Sequence, residues 1–200
     1  MLQKKKIILL AALILIVILV GIGVFLAVNN SPKKTEGTPT ESTNSVKQDE
    51  QNALLDVTFT DTSEGVSLRL PKGWQLTPKN EEDPRSLTKF QYAQSQANGE
   101  LLAQKSSSSM DDVVRGYLEA ALNISISSKL INNKTVTVGD KVGRLVSHEV
   151  PGPDNQTARI TEYIFNKNGT YYILAFTMLI EDWEAQQPGI EASAASLQIK

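Results

Sequence analysis

The chain has 200 residues, of which 40% are hydrophobic, and a formal net charge of −2 at pH 7. This length suffices for one membrane segment and one domain with its own core, and the nearly neutral charge argues against a nucleic-acid-binding protein. No cysteine and only one histidine are present, which excludes disulfides, thiolate nucleophiles and cysteine-based zinc sites and disfavours histidine-rich metal clusters.

The first predicted element is an apolar run at residues 7–28, which follows Lys4-Lys5-Lys6 and contains no charged side chain. As an α-helix this run would rise about 33 Å, enough to cross a hydrocarbon core of roughly 30 Å. We interpret it as an uncleaved transmembrane helix after a cytoplasmic stub at residues 1–6, because lysines beside a span tend to stay inside. A cleaved signal peptide is the alternative, although such apolar cores usually run only about 7–15 residues.

Residues 29–52 are predicted to form a disordered tether. They contain no aromatic residue and one aliphatic residue, Val46, so they cannot bury enough surface to offset the entropy lost on ordering. A random coil of this length spans about 27 Å on average. The tether would hold the rest of the chain near the bilayer, on the extracytoplasmic side.

Residues 53–200 are predicted to form one extracytoplasmic domain that begins with strands. Apolar and polar residues alternate at 55–60 and again at 66–70, on either side of a turn. Pro71-Lys72-Gly73-Trp74 then interrupts the pattern. Phe90 and Tyr92 open a third strand, and Asn98-Gly99 predicts the hairpin turn into the next one.

A helix is predicted after these strands, because apolar residues recur at helical spacing from Met110 to Leu122. Ser109 and Asp112 have the spacing of a capping box at its start. We expect the apolar stripe of this helix to pack against the core.

Four further strands are predicted, at 135–138, 142–150, 159–165 and 170–179. Asn168-Gly169 predicts a hairpin turn between the last two. The final strand is apolar on both faces, so we expect it to be central in the sheet and covered on both sides. A closing helix is predicted from Glu181, interrupted or restarted at Pro188-Gly189. Its docking residues would be Trp183, Ile190, Ala194 and Leu197.

These elements predict an α+β domain in which helices cover a mainly antiparallel sheet. The strand that runs into Leu70-Pro71-Lys72-Gly73-Trp74 resembles the opening of PsbP-like domains. The mid-chain helix, the hairpin at 163–179 and a C-terminal helix that ends in Ala195-Ser196-Leu197 follow in the same order, so the resemblance covers about residues 57–200. It implies an α/β/α sandwich and a non-enzymatic binding or assembly module. A membrane helix with a long tether departs from the photosynthetic members of the family, so only the fold is carried over.

Three residues are candidates for contact with a ligand or partner: Trp74, Arg144 and His148. Trp74 follows a Pro-Lys-Gly turn. Its ring could form the floor of a ligand-binding groove, or it could instead fix a loop onto the sheet. Arg144 and His148 share one face of a predicted strand. His148 is expected to be partly exposed or hydrogen-bonded.

A metal ion bound by His148 with Asp154 or Glu162 is a weaker alternative, because a lone histidine has no set ligand spacing. The acidic residues at 81–83 and 181–184 fit a loop and a helix start. The serine run at 106–109 lacks the context of a nucleophile. The sequence therefore predicts no catalytic, metal or cofactor site.

The leading hypothesis is a single-pass membrane protein whose external domain binds or helps to assemble an envelope protein partner. Its binding surface is expected in the loops around Trp74, 80–84 and 151–155. The alternative is a carrier of small ligands or lipids, with a pocket between sheet and helix near Trp74 and Tyr117. A hydrolase is the third and weakest option.

Overall fold

The computed structural model describes residues 54–79, 81–124, 128–152 and 155–200. The predicted membrane span and tether lie outside these residues, as do Asn80 and Asp154. Within the described part of the chain, no helix is long and apolar enough to cross a membrane.

Ten strands and two helices make up the described residues, which confirms the α+β class. In chain order they are β1 (Leu55–Asp61), β2 (Val66–Pro71), β3 (Trp74–Thr77), β4 (Ser86–Tyr92), β5 (Asn98–Lys105), α1 (Met110–Ile124), β6 (Lys129–Val138), β7 (Lys141–Pro151), β8 (Thr157–Lys167), β9 (Thr170–Leu179), α2 (Ile180–Ser196) and β10 (Gln198–Ile199). The short strand β3 was not predicted, because it follows the Pro71–Gly73 interruption immediately.

The strands form two sheets, and all of their pairings are antiparallel. The large sheet has the order β3-β4-β5-β9-β8-β7-β6, and the small sheet has the order β1-β2-β10. Strand β9 is thus the fourth of seven, as its apolar sequence predicts. Its residues from Tyr171 to Leu174 are all buried, so both of its faces are covered.

Different elements pack against the two faces of the large sheet. Helix α1 packs through Val113 and Val114 against Ile164 and Ile173 on one face. Helix α2 and the small sheet cover the other face, where Leu68 and Ile190 join the central aromatic residues. The resulting layers are a helix, the large sheet, and a mixed layer that contains both a helix and the small sheet.

The helix start at Ser109 has the predicted capping interactions. The Ser109 hydroxyl accepts a hydrogen bond from the backbone N–H of Asp112 at 3.2 Å and bonds the Asp112 carboxylate at 2.6 Å. These contacts satisfy an N–H group that would otherwise lack a partner at the start of α1. The predicted capping motif is therefore confirmed.

The two predicted Asn-Gly turns have different outcomes. Asn168 and Gly169 form the β8–β9 turn, with φ values of 53° and 79°. Asn98 and Gly99, in contrast, begin strand β5, and the chain turns at 93–97 instead. Gly99 is required at its position for packing, because a Cβ there would lie 2.2 Å from Cε2 of Phe90. The predicted turn at Asn98-Gly99 is therefore wrong.

Helix α2 continues through Pro188, so the predicted interruption there is also wrong. The loss of one backbone hydrogen bond is offset by docking, since Ile190, Ala192 and Ala194 after the proline are buried. A Cβ added at Gly189 would lie only 3.1 Å from Cβ of Pro71, so the helix approaches β2 closely at this point. The predicted docking residues of α2 do join or pack against this core.

We predict that Gly99→Ala destabilises the fold by about 1–3 kcal/mol, because the added methyl group would overlap the Phe90 ring and the Ala175 carbonyl oxygen. Gly116→Ala is the matched control, since nothing lies within 4 Å of a Cβ at Gly116 in the middle of α1. The control should gain up to about 1 kcal/mol in unfolding free energy. Urea denaturation followed by tryptophan fluorescence measures both changes. Equal shifts in the two variants would contradict the close packing at Gly99.

Candidate functional site

A cleft of about 780 Å³ lies at one end of the large sheet. The β6–β7 turn and the end of β8 form one wall, and the last turn of α2, β10, Leu55 and Arg69 form the other. The β6–β7 and β8–β9 turns lie at the same end because consecutive antiparallel strands alternate in direction. The chain thus brings two hairpin ends close to the C-terminal end of α2.

The second wall of the cleft is fixed by contacts between α2, β10 and β2. The backbone N–H of Arg69 donates to Oγ of Ser196 at 2.9 Å, and Oγ of Ser193 donates to the Arg69 carbonyl oxygen at 2.6 Å. Strand β10 then pairs with β2, with Gln198 opposite Ser67. These contacts hold the last residues of the described chain across the end of the sheet.

The cleft is lined by more positive than negative charge, although the whole chain carries a net charge of −2. Its ionisable side chains are Arg69, Lys141, Lys167, Lys200 and Asp140. A hydrogen bond from Nζ of Lys141 to Oδ1 of Asp140, 3.0 Å long, lowers the pKa of Asp140, and the charge of Lys167 lowers it further. The local potential therefore favours an anion.

The cationic groups are held in place by hydrogen bonds to the walls. Nζ of Lys167 donates to the Ile199 carbonyl oxygen at 2.7 Å, and Nη2 of Arg69 donates to the Leu55 carbonyl oxygen at 3.3 Å. An ammonium group has three donors, so a single internal hydrogen bond leaves Lys141 and Lys167 with capacity for an external acceptor.

Trp74, one of the predicted binding residues, lies in the core. Its side chain is 1% exposed, and its ring contacts the rings of Phe90, Tyr92 and Phe176. Its Nε1 donates to Oε1 of Gln186 in α2 at 3.0 Å. The ring thus joins strand β3 of the sheet to α2.

Arg144 and His148 lie on β7, on the face that α1 covers. Arg144 forms an ion pair with Asp111 of α1 and donates to Oγ1 of Thr135 at 3.2 Å. His148 is 1% exposed, and neither of its ring nitrogens is hydrogen-bonded within the described residues. Burial lowers the pKa of His148 to about 4. The expectation of a partly exposed or hydrogen-bonded histidine is therefore wrong, because His148 lies opposite Ile160 in an apolar setting.

The three predicted binding residues do not come together. Trp74 belongs to the α2 face of the large sheet, whereas Arg144 and His148 lie on the α1 face, and none of the three lines the cleft. Tyr117 packs on the α1 face, on the other side of the large sheet from Trp74, so these two residues do not line one pocket between the sheet and α1. A ligand or partner role for the three residues stays a prediction.

No group of three metal-ligating side chains lies close enough together to hold an ion within the described ranges. Glu162 does lie on the same face as His148, two residue pairs further along β7 and β8. Asp154, the other predicted partner of His148, is outside the described residues.

Two buried carboxyl groups lie beneath α1. Glu100 and Glu162 both pair with Ala175, from opposite sides of β9, and they are 5% and 4% exposed. Glu100 accepts a hydrogen bond from Oγ of Ser86 at 2.6 Å. Glu162 makes no hydrogen bond or ion pair with any residue in the described ranges. Burial raises the pKa of Glu100, and it raises the pKa of Glu162 to about 7.

No protein family model and no curated protein matches this sequence. The fold, however, is similar to the solution structure of cyanobacterial PsbP (CyanoP) from Synechocystis sp. PCC 6803. That match has a TM-score of 0.56 and 15% sequence identity, and it covers 80% of this chain and 98% of that one. A second similar structure is LpqN, described as involved in cell envelope biogenesis of Mycobacterium tuberculosis. Its TM-score is 0.50 at 12% identity, with 68% of this chain and 83% of that one covered.

This chain has the PsbP-like fold. The resemblance stated from the Pro71–Trp74 opening and the order of the elements is thereby confirmed. At these identities the similarity concerns the fold alone.

Sequence reasoning missed the basic cleft of this PsbP-like domain. A usable signal was present in the sequence. The predicted strands at 135–138 and 142–150 are joined at residues 139–141, and this connection and the predicted Asn168-Gly169 turn belong to alternate hairpins, so both must lie at one end of the sheet. Lys141 and Lys167 stand beside these two turns. The opposite wall could not be found in this way, because it depends on the pairing of β10 with β2, for example between Ser67 and Gln198, 131 residues apart.

We predict that Glu162→Gln stabilises the fold increasingly as pH rises from about 4.5 to 7. The pKa of Glu162 is raised to about 7 in the folded protein, from an ordinary value of 4.5. Below the ordinary value the carboxyl group is neutral in both states and the wild-type chain has its greatest stability relative to the variant. The wild-type chain loses that relative stability as pH rises towards about 7, because the buried group must then ionise. The difference in unfolding free energy should grow by about 3 kcal/mol and then level off. His148 titrates in the same range with the opposite sign, but its contribution cancels in the difference.

Urea denaturation at several pH values measures this difference. Glu119→Gln is the control, because Glu119 is exposed on α1 and its removal should give nearly the same change at every pH. A difference for Glu162→Gln that does not vary with pH would show that folding does not raise the pKa of Glu162.

Proposed function

We propose that this chain is a non-enzymatic binding or assembly module. It is anchored in the cell membrane by residues 7–28, and it displays its PsbP-like domain on the extracytoplasmic side to an envelope partner. The observation that carries this proposal is the cleft of about 780 Å³, which has the size typical of ligand sites. Its walls are built from fixed elements, so it is formed before anything binds.

The chemistry of the cleft favours binding over catalysis. Ser196 is the hydroxyl-bearing residue of its lining, and the Ser196 hydroxyl is bound to the backbone carbonyl oxygen of Ser193 at 2.7 Å. The lining, as far as the structure describes it, includes no histidine that could act as a general base. Glu100 and Glu162 lie beneath α1, away from this opening. The similarity to PsbP and LpqN structures also supports a non-enzymatic module.

The position of the cleft is consistent with a membrane-anchored chain. Leu55, at the start of β1, lines the cleft, and residues 29–52 precede it in the sequence. A tether that enters the domain here would leave the cleft near its point of attachment. A partner in or on the membrane would therefore be within reach.

A carrier of small ligands or lipids is the second candidate function. The volume of the cleft favours it, since clefts of roughly 300–1,000 Å³ accommodate small molecules. The site differs from the one expected from the sequence, because the cleft lies at the end of the sheet and not between the sheet and α1.

We predict that a photoreactive residue at Val142 crosslinks the full chain to a discrete envelope partner in native membranes. Val142 is 65% exposed at the rim of the cleft. Leu76 is the matched control, because it is 42% exposed on β3, at the opposite edge of the large sheet. An adduct at Val142 but not at Leu76 is the expected result. The same adducts, or none, at both positions in well-expressed chains would count against the proposal.

We also predict that trypsin added to intact cells or protoplasts cuts the chain after Lys33 or Lys34. An external tether exposes these lysines, and cleavage would release a fragment that contains the folded domain. Immunoblotting of the membrane and supernatant fractions measures the release. Protection of the tether until the membrane is permeabilised would show that the proposed orientation is wrong.

A further inference from the structure

We propose that the cleft at the end of the sheet binds a phosphate-bearing anion through Lys141, Lys167 and Arg69. The inference deepens the proposed binding function, and it rests on the cleft being a binding site. It does not depend on which side of a membrane the domain occupies.

The first argument is the distribution of charge. Four cationic side chains line the cleft, against one carboxylate. The Asp140 side chain is 93% exposed, whereas the Lys141 side chain that bonds it is 19% exposed. Water therefore screens the carboxylate more strongly than the ammonium group, and the field inside the cleft is set mainly by the cations.

The second argument is the fixed position of the donors. Lys141 is held by Asp140 on the first wall, and Lys167 is held by the carbonyl oxygen of Ile199 on the second. Both ammonium groups are thus brought to the cleft before a ligand arrives, which lowers the entropy cost of binding. Each retains donor capacity for the oxygen atoms of an anion.

The third argument concerns the type of anion. Lysine acts as a point charge towards phosphate, and the guanidinium group of Arg69 adds a further positive charge to the same lining. Phe165 and Leu197 in the lining are buried, and Val142, which is 65% exposed, lies at the rim, so the charged donors are the groups offered inside the cleft. A compact anion with several oxygen atoms fits these walls better than an apolar ligand does.

The same chemistry is found in a phospholipid headgroup and in a soluble phosphate compound. A headgroup fits the entry of the chain at Leu55, since the proposed tether would bring the cleft close to a bilayer. The test therefore has one arm for each source.

The first arm uses the full chain in phosphatidylcholine nanodiscs, titrated by calorimetry with inorganic phosphate and with glycerol 3-phosphate. We expect binding that weakens with added salt. The double variant Lys141→Gln/Lys167→Gln should lose roughly tenfold or more in affinity, because two charged donors are removed. Asp140→Asn, which keeps the side-chain oxygen that bonds Lys141 but removes the charge of the one carboxylate side chain in the described lining, should increase the affinity.

The matched control is Lys105→Gln/Lys134→Gln, which makes the same charge change at two exposed lysines outside the cleft. It should leave the affinity unchanged. Urea denaturation of every variant establishes that the fold is retained, since Lys167→Gln removes a hydrogen bond to Ile199.

The second arm places a spin label on a cysteine substituted for Val142, which is possible because the chain has no native cysteine. Nanodiscs that contain phosphatidylglycerol should bring the label to the bilayer surface, and the Lys141→Gln/Lys167→Gln change should abolish this contact. Contact in the second arm identifies a headgroup as the ligand. Binding in the first arm without contact in the second identifies a soluble phosphate compound.

Two results would overturn the inference. One is the absence of binding in both arms by a folded chain, and the other is an equal loss in the cleft variant and in the control. If either result were obtained together with a protein adduct at Val142 in cells, anion binding would be wrong, whereas the proposed binding of an envelope partner would still be supported. Anion binding without any such adduct would support the inference and count against a protein partner.

Discussion

Strand β9 occupies the centre of the large sheet, and both of its faces are apolar, so each face needs a cover. One face receives α1 through Val113 and Val114. The other carries Phe176, which packs with Trp74 and Phe90 and is closed by α2 and the small sheet. Burial of these large side chains is the main favourable term in a fold of this kind. The other elements pack around β9 and bury these side chains.

The position of the cleft follows from this requirement. To cover the aromatic face, α2 crosses the sheet and ends beside β2, where Ser193 and Ser196 bond the backbone of Arg69. The chain then continues as β10 along β2. The cleft lies between this corner and the neighbouring hairpin ends. The cleft is thus a consequence of how the core is closed, and its charged lining distinguishes it from the core.

The α1 face is covered at some energetic cost. Glu100 and Glu162 are buried on both sides of Ala175, and His148 is buried without a hydrogen-bond partner in the described residues. Burial favours the neutral form of all three groups. As pH rises, the neutral histidine adds stability between about 4 and 6.5, and the ionisation of Glu162 removes stability between about 4.5 and 7. The effects of His148 and Glu162 therefore oppose each other, and the raised pKa of Glu100 acts in the same direction as that of Glu162.

Local patterns in the sequence predicted the parts of the fold that local physics decides. Three patterns indicate directly which side chains are buried. They are the alternation of apolar and polar residues in β2, the apolar stripe of α1 and the apolar residues on both faces of β9. Asn98-Gly99 and Pro188 gave wrong predictions because tertiary packing overrides local preference, through the Phe90 ring at Gly99 and through docked Ile190 beyond the proline. The basic cleft could be predicted only in part, since no periodicity in the sequence indicates that β10 pairs with β2.

A weak site can serve a tethered domain. If residues 29–52 join the domain to a membrane, a chain of this length spans about 27 Å and keeps the cleft within that distance of the bilayer. Short flexible linkers of this kind give effective concentrations in the millimolar range. An exposed cluster of lysines binds an anion only modestly, because water and salt screen each charge. The anchor would keep the cleft close to a ligand at the membrane. The cleft would then need only to select that ligand by charge and shape. Lys141 and Lys167 are held by hydrogen bonds in positions where they can do so.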